Sequence, residues 1–299
     1  HPTAPHAIAP HPMTLQPPTG SSPRWHFTDP VSGDALTLAP ERGGLVTGWC
    51  CGGEEILYFD AERFADPAKS VRGGIPVLFP ICGNLPGDEL VLNQGRFPLP
   101  QHGFARDRPW SIAPLADGSG VGLRLEDSPA TLRHFPFAFA LELELRLQPS
   151  ALAITARISH RGEVGADPLP FSLGLHPYIA VADLSAVRIE GLPADCFDHL
   201  SMAPAVTADQ LSRLEQGVDF LCSGQGPVRL VDPAGGRAVT LHPVAPMDLV
   251  VVWSDPPRPM LCLEPWSGPR GALSSGERRL LVPAGECLEL GCRYTVERL

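Results

Sequence analysis

The sequence predicts an all-β protein built as a large antiparallel β-sandwich, and three observations carry that prediction. The first is a run of strict alternation. Phe135, Phe137, Phe139, Leu141, Leu143, Leu145 and Leu147 alternate with Pro136, Ala138, Ala140, Glu142, Glu144 and Arg146. A period of two places every large apolar side chain on one face of a strand. The second is punctuation: 35 prolines and 30 glycines are spread along the 299 residues, as turns between many short strands require. The third is the scarcity of helical periodicity.

The elements follow in order. Residues 1–22 are rich in Pro, His, Ala, Thr and Ser, too poor in apolar surface to order themselves, and are expected to form a flexible tail. Residues 23–299 contain no Pro/Ser linker and no repeat of fixed period, so one β-domain is expected there. A one-turn helix is expected at 61–65. Val121 to Glu126 reads as a strand, and the alternating run from His134 to Leu147 as the clearest one. Gln148-Pro149-Ser150 makes a turn, and Leu152, Ile154, Ala156 and Ile158 continue as the partner strand. Further strands are expected at Val187 to Glu190, Leu249 to Trp253, Met260 to Trp266 and Cys287 to Val296. A hairpin joins Val228-Arg229-Leu230 to Val239-Thr240-Leu241 through Asp232-Pro233-Ala234-Gly235-Gly236. Ala208 to Gln216 is expected to be helical, with Leu211 and Leu214 on one side.

Composition narrows the function classes. A net charge of −10 is unlike a general nucleic-acid binder, which needs a basic face for phosphates. No apolar run is long enough to cross a membrane as a helix, and no signal peptide is evident. None of the eight cysteines forms a CxxC pair, and most sit in apolar runs, so reduced core thiols in a cytoplasmic protein are expected.

Four segments differ from ordinary strand or turn sequence. Val71-Arg72-Gly73-Gly74-Ile75-Pro76 sets a guanidinium beside two glycines that allow close backbone approach; it reads as an anion or hydroxyl clamp, or as a surface turn. Gln101-His102-Gly103-Phe104-Ala105-Arg106 is poor helix material and suits a loop lining a cleft, although a lone histidine is commonly structural. In Ser172-Leu173-Gly174-Leu175-His176-Pro177-Tyr178, His176 ends an apolar run where proline stops it, well placed as an acid or base or as a buried hydrogen-bonded histidine. In Leu261-Cys262-Leu263-Glu264-Pro265-Trp266, alternation puts Cys262, Glu264 and Trp266 on one face. Glu264 is then either an exposed strand carboxylate or a carboxyl whose ionisation its apolar setting opposes, and Trp266 can stack on a sugar ring.

Together these residues suit acid–base work on a polyhydroxylated substrate. Two histidines and a glutamate also admit a zinc or manganese site, without any tight H-x-H or HExxH spacing, and plentiful Asp and Glu leave a two-carboxylate glycosidase open. A glycine-rich phosphate loop opening a helix and a G-x-S-x-G elbow are both absent.

In order, RGGIP at 72–76, HGFAR at 102–106, LHPY at 175–178 and EPW at 264–266 resemble the aldose 1-epimerase (galactose mutarotase-like) superfamily. HGFAR, in place of a histidine followed by two glycines, is closest to its glucose-6-phosphate 1-epimerase-like branch. The resemblance implies a β-supersandwich with an open cleft. It implies His176 as general acid and Glu264 as general base, with Arg72 and His102 in the substrate site. Asp219 falls where the family places a substrate-binding aspartate. Arg72 and Arg106 are candidates to hold a phosphate, since guanidinium groups match phosphate oxygens. The implied activity interconverts α and β anomers of a hexose or hexose 6-phosphate and requires no cofactor or metal. The expected partner is a small sugar or sugar phosphate, with no nucleic acid or membrane, and the protein is expected to be a monomer. A non-catalytic carbohydrate-binding or sugar-sensing protein on the same fold is the alternative.

Overall fold

Two eight-stranded sheets carry the architecture of the protein, a computed structural model that describes residues 12–20 and 23–299. The outer sheet runs in the order Arg188–Glu190, Val228–Asp232, Arg237–Pro243, Cys287–Arg298, Ala151–His160, Phe139–Gln148, Gly120–Glu126 and Ser111–Pro114. The inner sheet runs Ala203–Val206, Asp195–Asp198, Asp219–Ser223, Leu249–Trp253, Met260–Trp266, Gly174–Leu175 and Val77–Leu78, with Tyr178–Ala180 also pairing with Met260–Trp266. A five-stranded sheet near the N-terminus and two two-stranded ribbons complete the described strands, and every strand pair is antiparallel.

The central hairpin shows how the pattern becomes packing. Leu141, Leu143, Leu145 and Leu147 face Ile158, Ala156, Ile154 and Leu152 directly across the ladder, and all eight are buried. Directly opposed residues share a face, so this is one continuous apolar surface. It joins Phe220, Val250, Val252, Leu261 and Leu263 of the inner sheet in one core cluster. Tyr294 ties the sheets together, its hydroxyl donating to the Leu263 carbonyl at 2.7 Å. With one face of the inner sheet committed to this core, the alternate residues of the same strands are left to form the other face.

Three expectations are modified. The strand expected from His134 begins at Phe139: Pro136 has no N–H for a ladder, and the Phe137 N–H donates to the Phe135 carbonyl in a turn. Phe135 and Phe137 stay buried. The helix expected over 208–216 divides into Thr207–Leu211 and a 3₁₀ turn Leu214–Gln216, because the Ser212 hydroxyl and the Arg213 guanidinium bond back to the Asp209 carbonyl and end the first piece. Within the segment expected to be a tail, Thr14–Gln16 pairs with Trp25–Thr28, and Leu15 packs against the core. Residues 1–11 and 21–22 of that expected tail lie outside the described residues. The expected single turn near 61–65 is Ala61–Phe64, capped by the Asp60 carboxylate accepting from the Arg63 N–H at 2.9 Å.

Candidate active site

The free face of the inner sheet is the floor of a cleft of about 260 Å³. Register decides what lies on it. Asp219 pairs with Trp253, which pairs with Cys262, which pairs with Tyr178; Leu221 pairs with Val251, which pairs with Glu264. Each row crosses the sheet on one face. Since Leu261 and Leu263 face the core, parity delivers Cys262, Glu264 and Trp266 to the cleft side. Phe220 turns into the core for the same reason, leaving Asp219 on the cleft.

His176 and Glu264 meet there, with Nε2 3.4 Å from Oε2. Glu264 is 1% exposed, which removes the reading of it as an exposed strand carboxylate. Burial pushes its carboxyl well above the ordinary range; the negative charge of Asp219 pushes the same way, against the opposing indole N–H of Trp266, which donates to Oε1 at 3.1 Å. Burial pushes His176 in the other sense, down to about 3, with the guanidinium groups of Arg106 and Arg72 adding to the effect. The backbone fixes His176 by its N–H donating to the Pro76 carbonyl at 3.0 Å. Its ring stacks on Tyr178 at 4.9 Å and meets the edge of Trp253 at 5.5 Å.

His102 sits in left-handed backbone at φ 63° and is 7% exposed. Its N–H donates to the Gly83 carbonyl, and its Nδ1 accepts from the Gly83 N–H, both at 2.8 Å. Accepting at Nδ1 assigns the proton of the neutral ring to Nε2, so His102 is a donor on its free side. Burial, then nearby Arg106 and His176, holds it well below the usual histidine range. Gly103 is required beside it: at φ 72° a Cβ would lie 2.2 Å from the Phe79 carbonyl oxygen.

The glycines of the Arg72 segment do allow close approach, but the backbone they admit is the protein's own. A Cβ at Gly74 would lie 2.2 Å from the Val46 oxygen, and one at Gly73 2.5 Å from the Phe59 Cα. This seating brings Arg72 to the cleft, where its Nη1 donates to the Ser70 hydroxyl at 2.9 Å and its Nε lies 3.7 Å from Asp255. Arg106 lines the same cleft and donates to the Gln101 carbonyl at 3.3 Å.

All seven residues singled out from sequence, His176, Glu264, Arg72, His102, Arg106, Asp219 and Trp266, line this cleft. Trp266 is only 1% exposed, with one ring face stacked on His199, so it braces Glu264 more than it offers an open platform. Sequence reasoning missed Arg270 and His199. Arg270 reaches Asn84 Oδ1 at 3.0 Å and Asp219 Oδ2 at 3.5 Å; His199 Nδ1 bonds Asp219 Oδ1 at 2.8 Å. Neither lies in a periodic or motif-like setting; His199 reaches the site through the sheet pairing and Arg270 through the loop after Met260–Trp266 that folds over Gly83. Trp253 was read only as a strand residue.

Among the described residues, one donor set could address a metal: His176, Cys262 and Glu264 present ligand atoms within 4.8 Å of one another. The Glu264 carboxyl and the Cys262 thiol both hold their protons strongly, chiefly through burial, and three guanidinium groups line the same cleft. A cation must displace those protons against that positive field, so the set suits proton transfer better than divalent-ion binding.

Residues 36–282 match the aldose 1-epimerase family model. A protein of Cenchrus ciliaris named as a candidate glucose-6-phosphate 1-epimerase is 37% identical over 169 residues, covering 53% of this chain and 48% of that protein. One of Salmonella typhimurium with the same name is 30% identical over 166 residues, covering 54% and 51%. The chain thus spans about half the length of the curated relatives it matches. Among solved structures, the Slr1438 protein of Synechocystis sp. PCC 6803 superposes with a TM-score of 0.87 at 37% identity, covering 96% of this chain and 98% of that one. A galactose mutarotase-like protein from Clostridium acetobutylicum, 15% identical with a TM-score of 0.78 over 96% and 99% of the two chains, shares the fold. The chain belongs to the aldose 1-epimerase family.

Proposed function

We propose that the cleft interconverts the α and β anomers of a hexose 6-phosphate, as an aldose 1-epimerase. The observation that carries this reading is the contact of His176 with Glu264 on a floor lined by Arg72, Arg106 and His102. Burial disfavours the ion of either partner, so the free pair holds one proton, on Glu264, beside a vacant basic nitrogen on His176. Moving that proton to His176 gives the working form. Glu264 then takes the proton of the C1 hydroxyl while His176 gives one to the ring oxygen. The C1–O5 bond breaks, the open-chain aldehyde forms, and rotation about C1–C2 presents its other face. Closure reverses both transfers, and the pair ends with the same single proton. His102 Nε2–H donates to a sugar oxygen, and Asp219 accepts from a hydroxyl. Arg72 and Arg106 hold the phosphate through charge-assisted hydrogen bonds. No step calls for a redox, nucleotide or metal cofactor.

We also infer a monomeric cytoplasmic enzyme. All eight cysteines are free thiols, as a reducing compartment permits, and no helix of the described residues is long and apolar enough to cross a membrane. Anomer equilibration of glucose, galactose and glucose 6-phosphate, followed by polarimetry with and without a chelator, tests the function. Acceleration greatest for glucose 6-phosphate and indifferent to chelator is expected. Failure to accelerate any sugar would remove the reading, and loss with chelator would replace it with a metal-dependent one.

A further inference from the structure

Glu264 is flanked by two groups, and one histidine outside the sequence motifs touches both. The Trp266 indole donates to Glu264 Oε1 at 3.1 Å, and the face of that indole stacks on the His199 ring at 5.7 Å with 23° between planes. Asp219 faces Glu264 from the strand beyond, and its Oδ1 is bonded to His199 Nδ1 at 2.8 Å. The backbone locks this arrangement, because the His199 N–H donates to the Asp219 carbonyl at 2.8 Å where Asp195–Asp198 pairs with Asp219–Ser223. The His199 side chain is 2% exposed, so its ring has little room to move.

We propose that His199 is a positioning residue for the acid–base pair: its Nδ1 aims Asp219 and its ring braces Trp266, so that one side chain fixes both neighbours of Glu264. This rests on the mutarotase reading of the site. The consequence is electrostatic. Asp219 raises the proton affinity of Glu264 and the Trp266 N–H lowers it. His199 keeps each at the place where it acts. The other groups facing Glu264 come from separate elements: His176 at 3.4 Å, the Arg106 and Arg270 guanidinium groups, which lower its proton affinity, and the buried thiols Cys82 and Cys262 with the Tyr178 and Tyr294 phenols, whose own protons it helps retain. Among the described residues, none of these has a hydrogen bond, ion pair or ring contact with both Asp219 and Trp266. Arg270 approaches Asp219 from the other oxygen, at 3.5 Å, and does not replace the His199 bond.

Because Trp266 donates directly to Glu264, its indole ¹H–¹⁵N resonance reports the ionisation of Glu264 without turnover. Five tryptophans are present, and Trp266→Phe identifies the signal. The titration is compared in wild type, His199→Phe, His199→Asn and Asp219→Asn. Phenylalanine keeps the ring and loses the donor; asparagine places an amide N–H near the Nδ1 position and loses the ring. In wild type the Trp266 signal should move with a midpoint above the ordinary carboxylate range. In His199→Phe and Asp219→Asn that midpoint should fall by about one pH unit, the size of a displaced neighbouring charge. His199→Asn keeps the Asp219 contact but loses the brace on the Trp266 N–H, so its midpoint should rise above wild type. An unchanged midpoint in His199→Phe, or an equal fall in His199→Asn, overturns the inference. Should His199→Phe not fold, His199→Asn still decides it: its midpoint must rise, and an unchanged or lowered one overturns the inference. Absence of anomer equilibration in wild type would refute the mutarotase reading while leaving this titration interpretable.

Discussion

His176 Nε2 lies 3.4 Å from Glu264 Oε2, and burial drives the two groups in opposite directions, the histidine down and the carboxyl up. A buried histidine beside a buried carboxyl is often drawn as an ion pair. Here the cost of desolvating either ion keeps both groups neutral, which leaves one mobile proton and one open basic site in the same cleft. The chemistry of ring opening requires both. Four predictions follow from the way neighbouring residues hold the pair.

Replacing Glu264 by Gln should lower anomer interconversion by roughly 10²–10⁴-fold, the usual loss for a general acid–base group. It should not lower stability near neutral pH. A folded-state pKa raised above the unfolded value contributes stability that is fully present below the unfolded value and is lost as pH rises through the folded one. Wild type should therefore lose thermal stability as pH climbs above the ordinary carboxylate range, and Glu264→Gln should not share that component. Thermal melts of the two proteins from pH 4 to 9 measure it; the test pH range spans values above and below about 4.3, the ordinary glutamate pKa.

His176 gives the opposite slope. Its folded pKa is depressed from 6.5 to about 3, so the stability linked to it is present above 6.5 and lost as pH falls toward 3. His176→Asn should soften the acid-side fall in melting temperature. A residual slope of the same sign should remain, because His102 is also held well below its usual range by burial.

Trp266→Phe keeps a ring in place and deletes the N–H that donates to Glu264. That donor favours the carboxylate, so its loss should raise the proton affinity of Glu264 further. The one-proton form of the pair would then persist to higher pH. The alkaline limb of the pH–rate profile should move upward, opposite in sign to the effect expected of Asp219→Asn.

Arg72→Ala and Arg106→Ala should separate phosphate recognition from chemistry. Each removes a guanidinium lining the cleft, and a hydrogen bond to a charged group is worth about 1.5–3 kcal/mol. KM for glucose 6-phosphate should rise about tenfold or more, with little change for glucose. Equal losses on both sugars, in steady-state measurements, would argue against a phosphate clamp.

The sequence revealed much of the fold because its strands follow simple alternation. Leu249–Trp253 and Met260–Trp266 lie exactly where the pattern placed them, since each has one face in the core. Boundaries near proline were less legible: Pro136 delays a strand whose apolar pattern continues through it. In the site, alternation in the sequence already set Glu264 on the face opposite Leu261 and Leu263, which the structure puts in the core. Parity did not reveal that Glu264 is fully covered, because part of that cover comes from Val251 on the neighbouring strand and from His176 between Gly174–Leu175 and Tyr178–Ala180. His199 and Arg270 were illegible for the same reason. They reach Asp219 only through the pairing of Asp195–Asp198 with Asp219–Ser223 and through a loop folded over Gly83, contacts with no local signature.

The most direct test of the shared-proton pair is saturation-transfer NMR between the α and β anomeric protons of glucose 6-phosphate, with wild type, His176→Asn and Glu264→Gln under identical conditions. Wild type should transfer saturation far faster than the uncatalysed sugar, and each variant should reduce that rate by about two orders of magnitude or more while remaining folded. Exchange that persists at the wild-type rate in both folded variants would contradict the assignment of His176 and Glu264 as the groups that move the proton.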